Sequence, residues 1–193
     1  LNIDQKYNFV NPKAGFSFHD NCHNAYVSVA LSHREPERNN FTDNGSYPAP
    51  VAESLTDYEL GYSYIEPGMH FGLNLFYMGY KNQFVQTGAK SDIGEPLTTN
   101  IKDSYRMGME MTIGCDLTSW LSIEANMAMS SNKIKDFDEV VEDWDNGTRT
   151  IHYDNSTLAF SPSLISNAFI NFHWKGLQAV LHSQSVSRQY LDN

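Results

Sequence analysis

Residues 105–116 alternate strictly between apolar and polar or small side chains. Tyr105, Met107, Met109, Met111, Ile113 and Cys115 stand against Arg106, Gly108, Glu110, Thr112, Gly114 and Asp116. Residues 121–130 do the same, with Leu121, Ile123, Ala125, Met127 and Met129 as the apolar set. Residues 69–77 repeat it with Met69, Phe71, Leu73, Leu75 and Tyr77. A period of two is the mark of a strand, whose successive side chains point to opposite faces. The pattern predicts eight strands, roughly at 7–18, 24–34, 55–64, 69–81, 103–115, 120–131, 163–174 and 177–189. Several run to twice the usual strand length, near the ~9–11 residues that a tilted strand needs to cross a bilayer. No segment carries a helical stripe.

The predicted connections alternate short and long. Segments 19–23, 65–68, 116–119 and 175–176 are short, and 35–54, 82–102 and 132–162 are long. Outer-membrane barrels are built this way, with tight turns on one rim and long loops on the other. The long segments hold most turn formers, including Pro36, Pro48, Pro50, Pro96 and the pair Asn146-Gly147. Trp120 and Trp174 fall beside short turns, and Tyr26, Tyr58, Tyr77, Tyr80 and Tyr105 near strand ends. Aromatic girdles at two membrane interfaces would explain them. A β-sandwich core would also use such residues, so both architectures stay open at this level.

Composition narrows the function classes. The 193 residues carry a formal net charge of −10, which leaves no electrostatic footprint for nucleic acid. No run approaches the ~18 apolar residues of a membrane helix, which excludes a helical membrane protein but not a barrel. The chain begins at Leu1 and stops at Asn193 just after a predicted strand, and we read it as part of a longer protein. Two cysteines, Cys22 and Cys115, cannot form a disulfide framework, and sequence leaves their pairing open.

Several stretches resemble the TonB-dependent receptors of the Gram-negative outer membrane. They are Asn11-Pro12-Lys13-Ala14-Gly15, then Tyr26-x-Ser28-x-Ala30-x-Ser32-x-Arg34-x-Pro36-x-Arg38, then Glu53-x-Leu55-x-x-Tyr58-Glu59-Leu60-Gly61. Asn74-x-Phe76-Tyr77-Met78-x-Tyr80-Lys81, Ser104-Tyr105-Arg106-x-Gly108-x-Glu110 and the final Gln189-Tyr190-Leu191-Asp192-Asn193 follow in family order. The resemblance implies an all-β, antiparallel up-and-down transmembrane β-barrel, with residues 1–193 supplying about eight strands of a 22-stranded whole. The plug domain, the N-terminal coupling box and the terminal strands are expected to be absent from these residues. The implied function is active transport in the cell outer membrane, importing a scarce ligand such as an iron-siderophore or related chelate. The implied partners are TonB, the plug, the ligand and membrane lipid; no cofactor and no enzymatic activity are expected. Arg106, Glu110, Glu124 and Asn126 would then face the lumen or plug, and Met107, Met109, Ile123 and Met127 the lipid. An arc of eight strands has two open edges, which lipid does not tolerate. The chain would close on itself, pair with a second copy, or join further strands.

Three groups are candidates for chemistry. Segment 132–162 has seven acids and three bases, and its run of Asp136, Asp138, Glu139, Glu142, Asp143, Trp144 and Asp145 is the expected ligand-contact region. It has the carboxylates of a calcium loop, but Gly147 falls outside the position such loops require, and a solvated extracellular loop is the expected reading. His19-Asp20-Asn21-Cys22-His23 packs metal-ligating types into a turn, but no second cluster completes a site, and no metal is expected. His173, His182 and Ser183 are the residues a rim hydrolase would use, without any spacing that marks them. Segments such as Asn40-Phe41-Thr42 and Asn155-Ser156-Thr157 have the form of sequons and read as polar loops. The competing architecture is a soluble secreted β-sandwich that binds carbohydrate, with Met107, Met109, Met111 and Met127 as its core.

Overall fold

A computed structural model describes residues 4–42, 47–90, 94, 96–143 and 147–191; side chains at 88–90, 96, 139–143 and 148 are outside that description. Nine strands form one antiparallel sheet. They are β1 (Lys13–Asp20), β2 (His23–Arg34), β3 (Glu53–Glu66), β4 (Met69–Lys90), β5 (Pro96–Thr118), β6 (Leu121–Asp143), β7 (Gly147–Thr157), β8 (Leu164–Trp174) and β9 (Leu177–Val186). Their order is β1-β2-β3-β4-β5-β6-β8-β9, with β7 paired to the upper part of β6. A single helical turn, α1 (Arg38–Thr42), lies between β2 and β3. Among the described residues β1 and β9 do not pair with each other, so the chain does not close on itself.

Register turns the alternation into two faces. Val27, Leu60, Leu75, Met109, Met129 and Leu164 are consecutive partners in one cross-strand row. Tyr62, Leu73, Met111 and Met127 form another on the same face. Direct partners in a ladder point to the same side, so these rows make a continuous apolar surface. Nothing among the described residues covers it: Met107, Ile113 and Met129 are 46, 48 and 44% exposed. A sandwich would bury those side chains under a second sheet, and the described residues form only one.

The apolar surface is bounded by rings. At the end away from the short turns, Tyr58, Tyr77 and Tyr105 are neighbours, with centroids 6.5 and 6.1 Å apart. One step further, Lys81 and Asp103 form an ion pair, and Lys135 lies 5.9 Å over the Tyr105 ring. At the other end Tyr62 meets Phe71 at 6.3 Å, and Trp120 meets Phe172 at 5.5 Å edge-on. Tyr26 and Tyr80, read from sequence as girdle residues, belong to the opposite face. Their positions fall on the other parity, and Tyr26 donates to Asn74 Oδ1 at 3.0 Å.

The expected long segments 82–102 and 132–162 are mostly strand. β4, β5 and β6 run on well past the alternating band, and β7 adds a ninth strand inside 132–162. The extensions kink where Asn82 and Asp136 adopt φ of 54° and 52° and drop out of the pairing register. Here lies the chain's small core, with Val85, Ile101, Ile134, Phe137 and Leu158 in one cluster and Ile134 fully buried. Asn100 clamps the β2–β3 connection to this region. Its side chain accepts from Val51 N and donates to the carbonyls of Val51 and Asn82.

Candidate functional site

The polar face carries the first set of candidates. Arg106, Glu110, Glu124 and Asn126 all point to it, because β5 and β6 pair without a slip between Asp103 and Asp116. Arg106 shares a row with Met78 and Asp57, and its guanidinium lies 5.9 Å over the Tyr80 ring. Arg106 Nε and Asp57 Oδ1 are both buried without a hydrogen-bond partner among the described residues. Nearby, Arg34 holds Glu53 at 3.0 Å, and the same carboxylate accepts from Phe84 N. Lower down, Asn167 donates to Asn126 Oδ1 at 3.0 Å, and His182 stacks on Phe169 at 4.2 Å and contacts Asn167 at 3.2 Å.

Aromatic rings close the gaps that glycines leave on this face. Tyr26 covers Gly61, Phe76 lies against Gly108, and His70 covers Gly114. A Cβ at Gly108 would also meet the Met129 carbonyl oxygen at 2.2 Å, a clash with backbone rather than with a mobile side chain.

The β6–β7 hairpin carries the second set. His152 Nδ1 is 2.7 Å from Asp138 Oδ1, and its Nε2 is 3.4 Å from Asp154 Oδ1. Asp136 joins them, with ligand-type atoms of Asp136, His152 and Asp154 all within 4.8 Å of one another. The hydrogen bond that its Nδ1–H donates to Asp138 holds the His152 imidazole above its usual pKa, with the charges of Asp138 and Asp154 adding to the effect. The result is an exposed patch of three carboxylates around one imidazole, suited to a cationic group. Sequence reading named Asp136 and Asp138 but missed His152 and Asp154, which reach the patch only through the antiparallel register Asp138↔His152. The side chains of Glu139, Glu142 and Asp143 are not described, and Trp144 and Asp145 lie outside the described residues.

The remaining motifs disperse. In His19–His23, His19 pairs with Asn24, His23 meets the Tyr62 hydroxyl at 2.9 Å, and Cys22 donates toward Glu66 at 3.6 Å. Cys22 and Cys115 are free thiols. His182 and Ser183 are adjacent on β9 and so point to opposite faces, which no catalytic pair can use.

One dimension fixes the class of protein. From Tyr105 to Cys115 the apolar band spans ten strand steps, about 33 Å along the chain at ~3.3 Å each. At a tilt of ~40° that is about 25 Å of height, the thickness of the apolar band on a membrane barrel. A single antiparallel up-and-down sheet, apolar on one face, polar on the other and edged with aromatics, is a section of such a barrel's wall. The chain belongs to the TonB dependent receptor-like, beta-barrel family, whose pattern it matches over residues 1–193. Among solved structures, a copper transporter, OprC, is 16% identical over 94% of this chain, with a TM-score of 0.70. The siderophore receptor PiuA from Acinetobacter baumannii is 17% identical over 92% of this chain, with a TM-score of 0.64. The ferric-catecholate import receptor Fiu from E. coli K12 is 16% identical over 91%, with a TM-score of 0.61. The chain spans 26, 26 and 25% of these three proteins, about a quarter of each. No curated protein sequence matches it.

Proposed function

We propose that the chain is part of the wall of an outer-membrane receptor that imports a scarce ligand, an iron-siderophore or related metal chelate, with energy passed through TonB. The observation that carries this reading is the uncovered apolar face of about 25 Å between two aromatic rows, in a chain that belongs to the receptor family. In lipid every backbone N–H and C=O must be paired within protein, so β1 and β9 pair with further strands of the same barrel. The apolar face meets lipid, the polar face the lumen. Arg106 and Asp57 share a row on that lumen face, with Arg106 Nε and Asp57 Oδ1 buried among the wall's own side chains. The end with the long extensions is extracellular, and the patch of Asp136, Asp138, His152 and Asp154 meets the incoming ligand there.

The test is uptake by cells expressing the full-length receptor under iron limitation. Uptake of a ferric chelate should vanish without TonB and fall several-fold in the double variant Asp138→Asn/His152→Ala with receptor levels unchanged. Uptake that ignores TonB would overturn the transport reading. Uptake that ignores the double variant would remove the hairpin from the binding surface.

A further inference from the structure

The upper part of the apolar face is not smooth, and its shape and charge match one kind of membrane component. A depression of about 620 Å³ runs between β4, β5, β6 and the start of β8, lined by Leu75, Tyr77, Met107, Met109, Met129 and Leu164. It forms where β6 changes partner. Up to Met129 it pairs with β8 and from Lys133 with β7, and the first two residues between are small, Ser130 and Ser131, with Ser163 opposite. Directly above is a second depression of about 350 Å³, bounded by Tyr58, Tyr77, Lys81, Asp103, Tyr105 and Lys135. The two share Tyr77. Gly79, which puts no side chain into the row between Thr56 and Tyr105, opens the upper one.

The lower depression is almost wholly apolar and the upper one is charged. Lys81 is neutralised by Asp103. Lys135 lies over the Tyr105 ring, and Lys133 donates to the uncharged Thr157 hydroxyl at 2.7 Å. Among the described residues neither Lys133 nor Lys135 makes an ion pair. In a chain of net charge −10 this is a local excess of positive charge. It sits at the level of the aromatic row, where a bilayer's head groups would lie. Asp138 stands beyond the kink at Asp136 and is engaged by His152.

We infer that this paired depression binds an anionic membrane lipid, with its phosphorylated head group on Lys133 and Lys135 and its acyl chains in the groove below. The inference rests on the reading above that this face meets lipid. A soluble phosphate would use only the upper half. The apolar groove in register beneath it selects a molecule with both parts.

The experiment places the full-length receptor in nanodiscs of equal parts phosphatidylglycerol and phosphatidylcholine and reads retained lipid by native mass spectrometry after release. The expected result is about a thirtyfold preference for phosphatidylglycerol, the order two lysines contribute at a membrane surface. The double variant Lys133→Gln/Lys135→Gln should retain the two lipids equally, and Met129→Trp, which fills the groove, should lower retention of both. Insertion without a preference, or a preference that survives the double variant, overturns the lipid site and leaves the barrel reading intact. Failure to enter the bilayer at all overturns both.

Discussion

At the scale of single residues, the clearest consequences concern His152 and Gly108. The folded protein raises the His152 pKa because the protonated ring is held by Asp138 and Asp154. A raised folded pKa means that the contribution to hairpin stability is fully present below the ordinary value near 6.5. It is lost as pH rises through the higher folded value. A histidine titration followed by NMR should therefore give His152 a midpoint above 6.5, and Asp138→Asn should bring it back toward that value. A midpoint at or below 6.5 in the unsubstituted protein would contradict the geometry. Gly108 tests packing instead. Its missing Cβ is what lets β5 lie against the Met129 carbonyl and the Phe76 ring. Gly108→Ala should cost about 1–3 kcal/mol in denaturant unfolding of the folded receptor, because backbone has to move. Gly79→Ala, whose nearest neighbour is the edge of the Tyr77 ring at 3.3 Å, should cost clearly less.

At the scale of elements, the sequence was legible where the two faces of the sheet differ in polarity, and illegible elsewhere. Residues 105–116 and 121–130 alternate because one face is apolar and the other polar, and both lie in strands as expected. Past Lys81, Ile101 and Asn132 the strands rise clear of the band. With water on offer to both faces the period-two signal fades, although the hydrogen-bond ladder continues. That is why β7, with the polar sequence GTRTIHYDNST, reads as loop. The same fading hid His152 and Asp154, since their partnership with Asp136 and Asp138 depends on a hairpin that no periodicity announces. Parity alone puts Arg106, Glu110, Glu124 and Asn126 on one face. What holds the extensions is the cluster around Ile134. Ile134→Ala removes its most buried side chain and should cost about 2–5 kcal/mol. Hydrogen exchange should show the loss as faster opening of the amides of β7 and of upper β4–β6, with the band from Tyr105 to Cys115 unaffected. Equal acceleration throughout would mean that the extensions and the band unfold as one unit.

At the scale of the whole molecule, the question is what the apolar face meets, and depth answers it. A face packed on protein would penalise a new charge according to local packing, with no regard to height along the strand. A face in lipid penalises it according to distance from the bilayer centre, at ~2–4 kcal/mol near the midplane and ~0–1 kcal/mol near the interfaces. β5 supplies both positions on one face of one strand. Met109 lies near the middle of the band, and Tyr105 lies at its rim beside Lys135 and the Lys81–Asp103 pair. In the full-length receptor folded into phospholipid vesicles, Met109→Arg should therefore cost several times as much as Tyr105→Arg. Glu110→Ala, one residue away on the polar face, should not follow that gradient, because it lies outside the apolar face under test. The three variants together separate lipid from protein. A steep gradient along the odd-numbered positions alone is the signature of a bilayer, and equal costs at Met109 and Tyr105 would place a protein surface there instead.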